Sequence, residues 1–135
     1  MNYKIVDVEG IGNVYAEKLI AADIESTDAL LEKCAKPAGR KELAEATGIS
    51  PKLILTWANH TDLMRINGVG PQFSELLEAA GVDTVKELQH RVPANLQAKL
   101  EEVNEQTHLV RRVPALAEVE KMVAQAKELP AVMEY

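Results

Sequence analysis

One glycine pattern occurs twice in this chain of 135 residues. Gly10-Ile11-Gly12 returns as Gly68-Val69-Gly70, an offset of 58 residues (68 minus 10). Similar residues keep this offset downstream, in the pairs Glu17 with Glu75, Leu19 with Leu77, Ala22 with Ala80, Ile24 with Val82, Ser26 with Thr84 and Leu30 with Leu88. Self-similarity at a fixed offset indicates that each copy is one structural unit. The repeat predicts one compact domain over residues 1–135, made of a first unit, 1–62, and a range 63–135 that holds the second unit, a closing helix and a short tail.

Both copies carry the residues that start and stop helices. Pro71 suits the first position of a helix, and Gly81 is typical of a residue that ends one. Thr84, with a glutamate three residues later, predicts a capped start for the next helix, and Ser26 or Thr27 takes that place in the first copy.

Further along the first copy, Gly48 predicts the end of a helix and Pro51 the start of the next, which we expect to run to about Asn59. Thr61 or Asp62 is then expected to cap a short helix that leads into the second copy.

After Pro37 and Pro93 the offset falls to 56 (93 minus 37), which aligns Trp57 with Val113. We expect Trp57 to lie in the core, because apolar residues surround it. The end of the chain has no further glycine pattern and instead predicts one amphipathic closing helix. Its apolar face comprises Leu116, Val119, Met122, Val123 and Ala126.

The fold class that follows is all-α: a compact helical bundle of two tandem units with a C-terminal amphipathic helix. Composition agrees, because 47% of the residues are hydrophobic but only 4% are aromatic, so aliphatic side chains must form the core.

The two glycine patterns resemble the helix-hairpin-helix family. Over nearly its whole length the chain also resembles an uncharacterised bacterial family with this layout, sometimes labelled flap-endonuclease-like. The resemblance implies that the loops bind a phosphate of the DNA backbone through amides at a helix N-terminus, sometimes with a monovalent cation on the loop carbonyls. The binding residues that it implies are Gly10, Ile11, Gly12, Asn13, Gly68, Val69, Gly70 and Gln72.

The residues around the loops depart from the pattern of DNA-binding members. Those members carry Lys or Arg just after the loop, whereas this chain has Asn13 and Pro71 there and acids nearby at Glu17 and Glu75. The formal net charge of −6 also opposes a nucleic-acid partner, because binding to DNA depends on neutralising phosphates.

Other residues are candidate partner contacts. Tyr15 and Phe73 follow the loops and are expected to be partly exposed. The basic side chains form two local clusters, which are either solvated helix faces or partner contacts: Lys36, Arg40 and Lys41 in the first copy, and Arg111 and Arg112 in the second.

The region around Gly48 also resembles a DNA-reading helix-turn-helix, whose second helix would present Lys52, Thr56, Asn59 and His60 to a groove.

The sequence offers no catalytic or metal constellation. Cys34, the one cysteine, has no disulfide partner, and His60, His90 and His108 lack metal-ligand spacing. No apolar stretch approaches the length that crosses a bilayer, and the N-terminal residues lack the pattern of a signal peptide. We therefore expect a cytoplasmic protein without membrane contact, metal, cofactor or small-molecule substrate.

Two functions stay open. The first is a non-catalytic interaction module, a protein-protein adaptor built on the two loops. The alternative is weak, sequence-independent binding of DNA through the same loops.

Overall fold

The computed structural model describes residues 2–135 of the chain. These residues form a 3₁₀ turn and eight α-helices. The β pairing among the described residues is one isolated antiparallel bridge between Lys4 and Ser26. The 3₁₀ turn is Ile5–Asp7, and the helices are α1 Asn13–Ala21, α2 Thr27–Cys34, α3 Pro37–Thr47, α4 Pro51–Leu63, α5 Pro71–Ala79, α6 Val85–Gln89, α7 Pro93–Thr107 and α8 Leu116–Glu128. The all-α prediction is confirmed.

The chain divides into two compact units. The first comprises the residues up to Asp62 together with Val132–Tyr135, and the second comprises Leu63–Ala131. The last four residues, which we refer to as the tail, therefore belong to the first unit.

Several residues predicted to begin, end or cap helices do so in the structure. α5 begins at Pro71, and Gly81 lies beyond its end with a φ of +93°. Asp23, at the equivalent position of the first unit, has a φ of +67°. Ser26 and Thr84 are the N-caps of α2 and α6, with side-chain oxygens that accept a hydrogen bond from an amide three residues ahead.

The predicted break before the second unit is wrong. α4 does not end near Asn59 but continues to Leu63. Thr61 does not cap a new helix, because its hydroxyl donates to the Ala58 carbonyl within α4 at 2.7 Å. Serine and threonine satisfy their hydroxyl in this way inside helices, so the residue type alone does not distinguish a cap from a helix interior.

α8 is the fourth helix of the second unit rather than an addition without a counterpart. It has 13 residues, as does α4, and the buried residues of the two helices match at an offset of 65 (122 minus 57). The matched pairs are Ile54 with Val119, Trp57 with Met122, Ala58 with Val123, and Thr61 with Ala126.

The alignment of Trp57 with Val113 is therefore wrong, because the second unit is longer just before its fourth helix. α7 has 15 residues where α3 has 11. Residues 108–115 then connect α7 to α8, whereas residues 48–50 suffice between α3 and α4.

Each unit buries mainly aliphatic side chains. The first unit's buried apolar side chains include Ile5, Val8, Ile11, Leu19, Ile24, Leu30, Leu43, Ile54 and Trp57. The second unit's core includes Ile66, Val69, Phe73, Leu76, Leu77, Leu88, Leu96, Leu100, Val119, Met122 and Val123, with α8 packed on α6 and α7. Trp57 is 2% exposed, which confirms its predicted place in the core.

Candidate functional site

The first loop, residues 10–12, is a tight turn held on both sides. The Ile11 amide donates to the Val8 carbonyl at 3.0 Å, and the Ile11 side chain is buried. Gly10 has a φ of +88°, and a Cβ atom added there would lie 3.2 Å from Nε1 of Trp57. Glycine is therefore required twice, for the left-handed backbone and for the close approach of a buried indole.

α1 starts directly after this loop. Gly12 is its N-cap and supplies no side chain to the amides of the first turn, which begins with Asn13. Those amides carry the partial positive charge of a helix N-terminus. Val14 in the same turn is 67% exposed, and Tyr15 is half-buried with its ring edge-on to Trp57, at 5.2 Å between centroids.

The second loop, residues 68–70, repeats the backbone of the first. Gly68 has a φ of +91°, and the Val69 amide donates to the Ile66 carbonyl at 3.1 Å. A Cβ atom on Gly68 would lie 3.3 Å from the terminal methyl of Met122. The matched pair Trp57 and Met122 thus packs behind the two loops in the same way.

The surroundings of the second loop differ from those of the first. The Asn67 amide donates to Oε1 of Gln125 on α8 at 3.0 Å. Beside it lies a groove of about 330 Å³, lined in part by Glu118 and Lys121. Gly70 caps α5 without a side chain, and Pro71 then has no amide hydrogen to offer.

Phe73 is not a surface residue. It is 8% exposed and belongs to the core of the second unit, so the expected exposure of this ring is wrong. Its position one turn into α5 places it on the inward face with Leu76 and Leu77. Of the two aromatic residues that follow the loops, Tyr15 alone is part of a surface.

The first basic cluster separates into a buried and an exposed part. Arg40 is 9% exposed, and its Nη1 donates to the carbonyls of Cys34 at 2.9 Å and Ala35 at 3.3 Å. The arginine satisfies carbonyls that the end of α2 leaves open, so its predicted role as a surface contact is wrong. Lys36 and Lys41 are exposed as expected.

The second cluster lies on the surface of its unit. Arg111 and Arg112 are both exposed. Nη2 of Arg112 lies 3.0 and 3.1 Å from the two carboxylate oxygens of Glu118, so a neighbouring acid already neutralises this guanidinium.

The predicted helix-turn-helix reading face is wrong. Gly48 does end α3 in the left-handed region, with a φ of +72°, and α4 follows after a short turn. His60, however, is only 3% exposed and Asn59 accepts a hydrogen bond from the Tyr135 hydroxyl at 2.8 Å. Thr56 donates to the Lys52 carbonyl of its own helix. Groups committed in this way do not form a surface that reads base edges.

The tail lies against the first unit. The Glu134 amide donates to the Ala35 carbonyl at 2.7 Å. The Arg40 guanidinium carbon lies 5.6 Å from the centroid of the Tyr135 ring, a cation–π distance. Ala35 and Arg40 thus connect the end of α2 both to α3 and to the tail.

The α3 and α4 helices also form an open groove of about 570 Å³. Pro37 and Ala44 of α3 and Pro51 and Leu55 of α4 supply its apolar part. Its charged part comprises Arg40, Lys41, Glu45 and Lys52.

Cys34 is the nucleophilic side chain that the sequence left unassigned. Burial raises the pKa of its thiol to about 11, against the opposing effect of the nearby Arg40 and Lys33 charges. At neutral pH the thiol is protonated, and a thiolate is the form of cysteine that attacks substrates or binds metals.

The family model described as Domain of unknown function (DUF4332) matches residues 9–129. The chain belongs to this family. The match includes both loops and all eight α-helices, and it ends before the tail. No curated protein and no solved structure matches the chain.

Within this family member, residues 2–135 contain no group of three or more His, Cys, Asp or Glu side chains that could hold a metal ion. None of the helices in the described part is long and apolar enough to cross a membrane.

Sequence reasoning placed the tail with the second unit and did not predict its contacts with the first unit, and it missed the groove between α3 and α4. The packing of the tail could have been predicted, because three apolar or aromatic residues follow a proline that ends a helix: Val132, Met133 and Tyr135. The groove has no such signal, since it depends on the angle between two helices.

Proposed function

We propose that this domain is a non-catalytic interaction module that binds a partner protein through its first loop. The observation that carries the proposal is a pair of exposed apolar side chains, Val6 and Val14, which flank that loop in the sequence. Val14 exposes 67% of its surface directly after Gly12, and Val6 exposes 39% in the 3₁₀ turn that precedes the loop and packs on α1. Apolar side chains that share one exposed patch mark surfaces that bind proteins, and we propose that these two valines belong to such a patch.

A fixed backbone supports this surface. Trp57 packs behind Gly10, and Tyr15 rests edge-on against the same indole. A binding surface that is already ordered loses little conformational entropy when a partner docks, so more of its contact energy contributes to affinity.

The second loop is less suited to the same role. The backbone amide of Asn67 already donates a hydrogen bond to the Gln125 side chain. The ring of Phe73 is buried, whereas Tyr15 at the first loop is half-buried. The side chain that corresponds to Val14 at the offset of 58 is the polar Gln72. We therefore assign the partner surface to the first loop alone.

The assignment as non-catalytic rests on the state of the candidate nucleophile. Cys34 is fully buried, and its raised pKa keeps the thiol protonated. Neither property suits a group that must attack a substrate at neutral pH.

Weak, sequence-independent binding of duplex DNA is the second candidate. It is favoured by the start of α1, where no side chain caps the amides of the first turn, and by the resemblance of the loops to the helix-hairpin-helix family. Half-exposed Glu9 precedes the loop and exposed Glu17 follows it in α1, and their negative charges oppose a phosphate.

Site-specific crosslinking in cells tests the proposed partner surface. A photoreactive amino acid placed at position 14 should form covalent adducts with a defined protein. The matched control is position 92, because Val92 is an exposed valine of the second unit, with 57% of its surface accessible. Val14→Asp should abolish recovery of that protein with the full chain as bait, and Val92→Asp should leave it unchanged. Equal adducts at both positions, or none at position 14, would contradict the proposal.

A duplex titration of the same proteins at low salt separates the two candidates. The adaptor predicts no binding by the wild type or by Glu17→Lys. The second candidate predicts a dissociation constant of roughly 0.1 mM to 1 μM that weakens steeply with salt and tightens in Glu17→Lys. Salt-dependent duplex binding of this kind, together with no adduct at position 14, would refute the adaptor proposal in favour of DNA binding.

A further inference from the structure

The groove between α3 and α4 differs from the first-loop surface in its charge. It lies beside Arg40, Lys41 and Lys52, against one acid, Glu45. Arg40 is buried and bonded to carbonyls, so Lys41 and Lys52 are the exposed cations of the groove. The chain as a whole carries a net charge of −6, so a site where two exposed cations face one acid is a local reversal of sign. Neither Lys41 nor Lys52 has an ion-pair partner within the described residues.

Helix geometry adds to the positive charge. Pro51 and Lys52, which line the groove, are the first residues of α4, a helix of 13 residues. The N-terminus of a helix carries partial positive charge within its first turn. The groove therefore favours carboxylates at the end where α4 begins.

The floor of the groove favours an apolar side chain. Ala44 and Leu55 contribute carbon atoms from facing helices, and both are only partly buried by the chain itself. Pro37 and Pro51 offer no amide hydrogens there, so the groove has little capacity to pair with the backbone of a β-strand.

The second unit shows what kind of chain segment lies beside the corresponding helix pair. Residues 108–115, which join α7 to α8, are not helical. Asn104 of α7 holds Val110 by two hydrogen bonds of 3.0 Å, and Gln97 of α7 donates to the Pro114 carbonyl at 3.3 Å. In the first unit residues 48–50 are too short to supply a similar segment.

We propose that the groove between α3 and α4 binds an extended acidic segment of a partner protein. One apolar side chain of that segment occupies the space between Ala44 and Leu55, and its carboxylates pair with Lys41 and Lys52. The site is separate from the first-loop surface, so neither proposal depends on the other.

Fluorescence anisotropy with the full chain tests this site. The probe is a short fluorescein-labelled peptide of Glu, Val and Pro, which is extended and acidic, and its counterpart has Lys in place of every Glu. The acidic peptide should bind saturably, and the basic peptide should not bind. The double variant Lys41→Glu, Lys52→Glu should weaken binding by about tenfold or more, because attraction becomes repulsion at two positions. Leu55→Ala should weaken binding as well, by about threefold or more, through loss of apolar contact.

The double variant Lys86→Glu, Lys127→Glu is the matched control. It makes the same change in net charge with two exposed lysines of the second unit, and it should change the affinity less than twofold. Circular dichroism melts verify that the variants fold, and Lys41→Gln with Lys52→Gln replaces the charge reversal if that variant does not.

Several outcomes would overturn the proposal. The first is equal weakening by the two double variants, since bulk charge would then explain the affinity. Others are binding of both peptides alike, or no binding of the acidic one. A duplex that binds the wild type and is lost in the Lys41 and Lys52 variant, without peptide binding, would assign the groove to nucleic acid. Sedimentation that shows a dimer dispersed by the same variant would assign it to a second copy.

Discussion

The two loops share one backbone and present different surfaces. Gly10 and Gly68 have φ values of +88° and +91°, and each is followed two residues later by the N-cap of a nine-residue helix. Behind the first glycine lies a buried indole, and behind the second lies the end of a methionine. In front, Val14 is exposed where the second unit has Gln72.

The comparison shows that a repeat can preserve a backbone conformation without preserving the surface around it. Backbone dihedral angles depend on a few glycines and caps, which both copies retain. The chemistry of a surface depends on side chains that the fold does not constrain. Two copies of one motif are therefore not evidence of two equivalent binding sites.

The largest effect that we expect comes from adding a methyl group to the glycine of each loop. Either alanine adopts an unfavourable left-handed conformation, which costs roughly 1 to 2 kcal/mol. At Gly10 the methyl group also meets the rigid indole of Trp57 at 3.2 Å, whereas at Gly68 it meets the flexible end of Met122 at 3.3 Å. Gly10→Ala should lower the free energy of unfolding by about 3 kcal/mol and Gly68→Ala by about 1.5 kcal/mol. Urea unfolding measures both values.

Gly12→Ala is the control for these two variants. An added Cβ atom there meets nothing within 4 Å, and φ is −82°. The free energy of unfolding should therefore fall by less than about 1 kcal/mol, which is the cost of placing alanine at the N-cap of α1. If Gly10→Ala and Gly68→Ala lower the free energy of unfolding equally, backbone strain alone explains the need for glycine, and the contact with Trp57 or Met122 adds nothing.

Smaller effects should appear at two arginines that bind carbonyls after a helix. Arg40 is buried and donates at 2.9 Å after α2, whereas Arg91 is partly exposed and lies 3.5 Å from carbonyls after α5. Charge-assisted hydrogen bonds are stronger when short and shielded from water. Arg40→Met should lower the free energy of unfolding by about 2 kcal/mol, and Arg91→Met by about 0.5 kcal/mol. Thermal melts that rank the two variants in reverse order would refute this assignment.

The smallest effect concerns the side chain that holds the second loop. Gln125→Ala removes the acceptor of the Asn67 amide and should lower the free energy of unfolding by about 0.5 to 1 kcal/mol. Hydrogen exchange should accelerate at Asn67 while the Ile11 amide of the first loop keeps its rate. An unchanged exchange rate at the Asn67 amide would mean that the hydrogen bond to Gln125 does not stabilise the second loop.

Helices and caps were predictable because their signals are local. Pro71 begins a helix, Gly81 follows the end of one, and Ser26 caps another, each through interactions within a few residues. The hydrophobic pattern likewise predicted the buried face of α8 and the place of Trp57.

The failures concern interactions between residues distant in sequence. Phe73 and Arg40 are buried by packing partners that no local pattern specifies. The match of α8 with α4 was hidden because the connection before α8 is longer than the one before α4, which shifts the offset from 56 to 65. Sequence alignment at a constant offset therefore misplaced the counterpart of Trp57.

The tail gives the order of synthesis a consequence for folding. Tyr135 reaches Asn59 across 76 residues, and a ribosome adds roughly 5 to 20 residues per second. The helices of the first unit thus leave the ribosome roughly 4 to 15 seconds before the residues that bind Arg40 and the Ala35 carbonyl. During translation, the unit that emerges first is the one completed last.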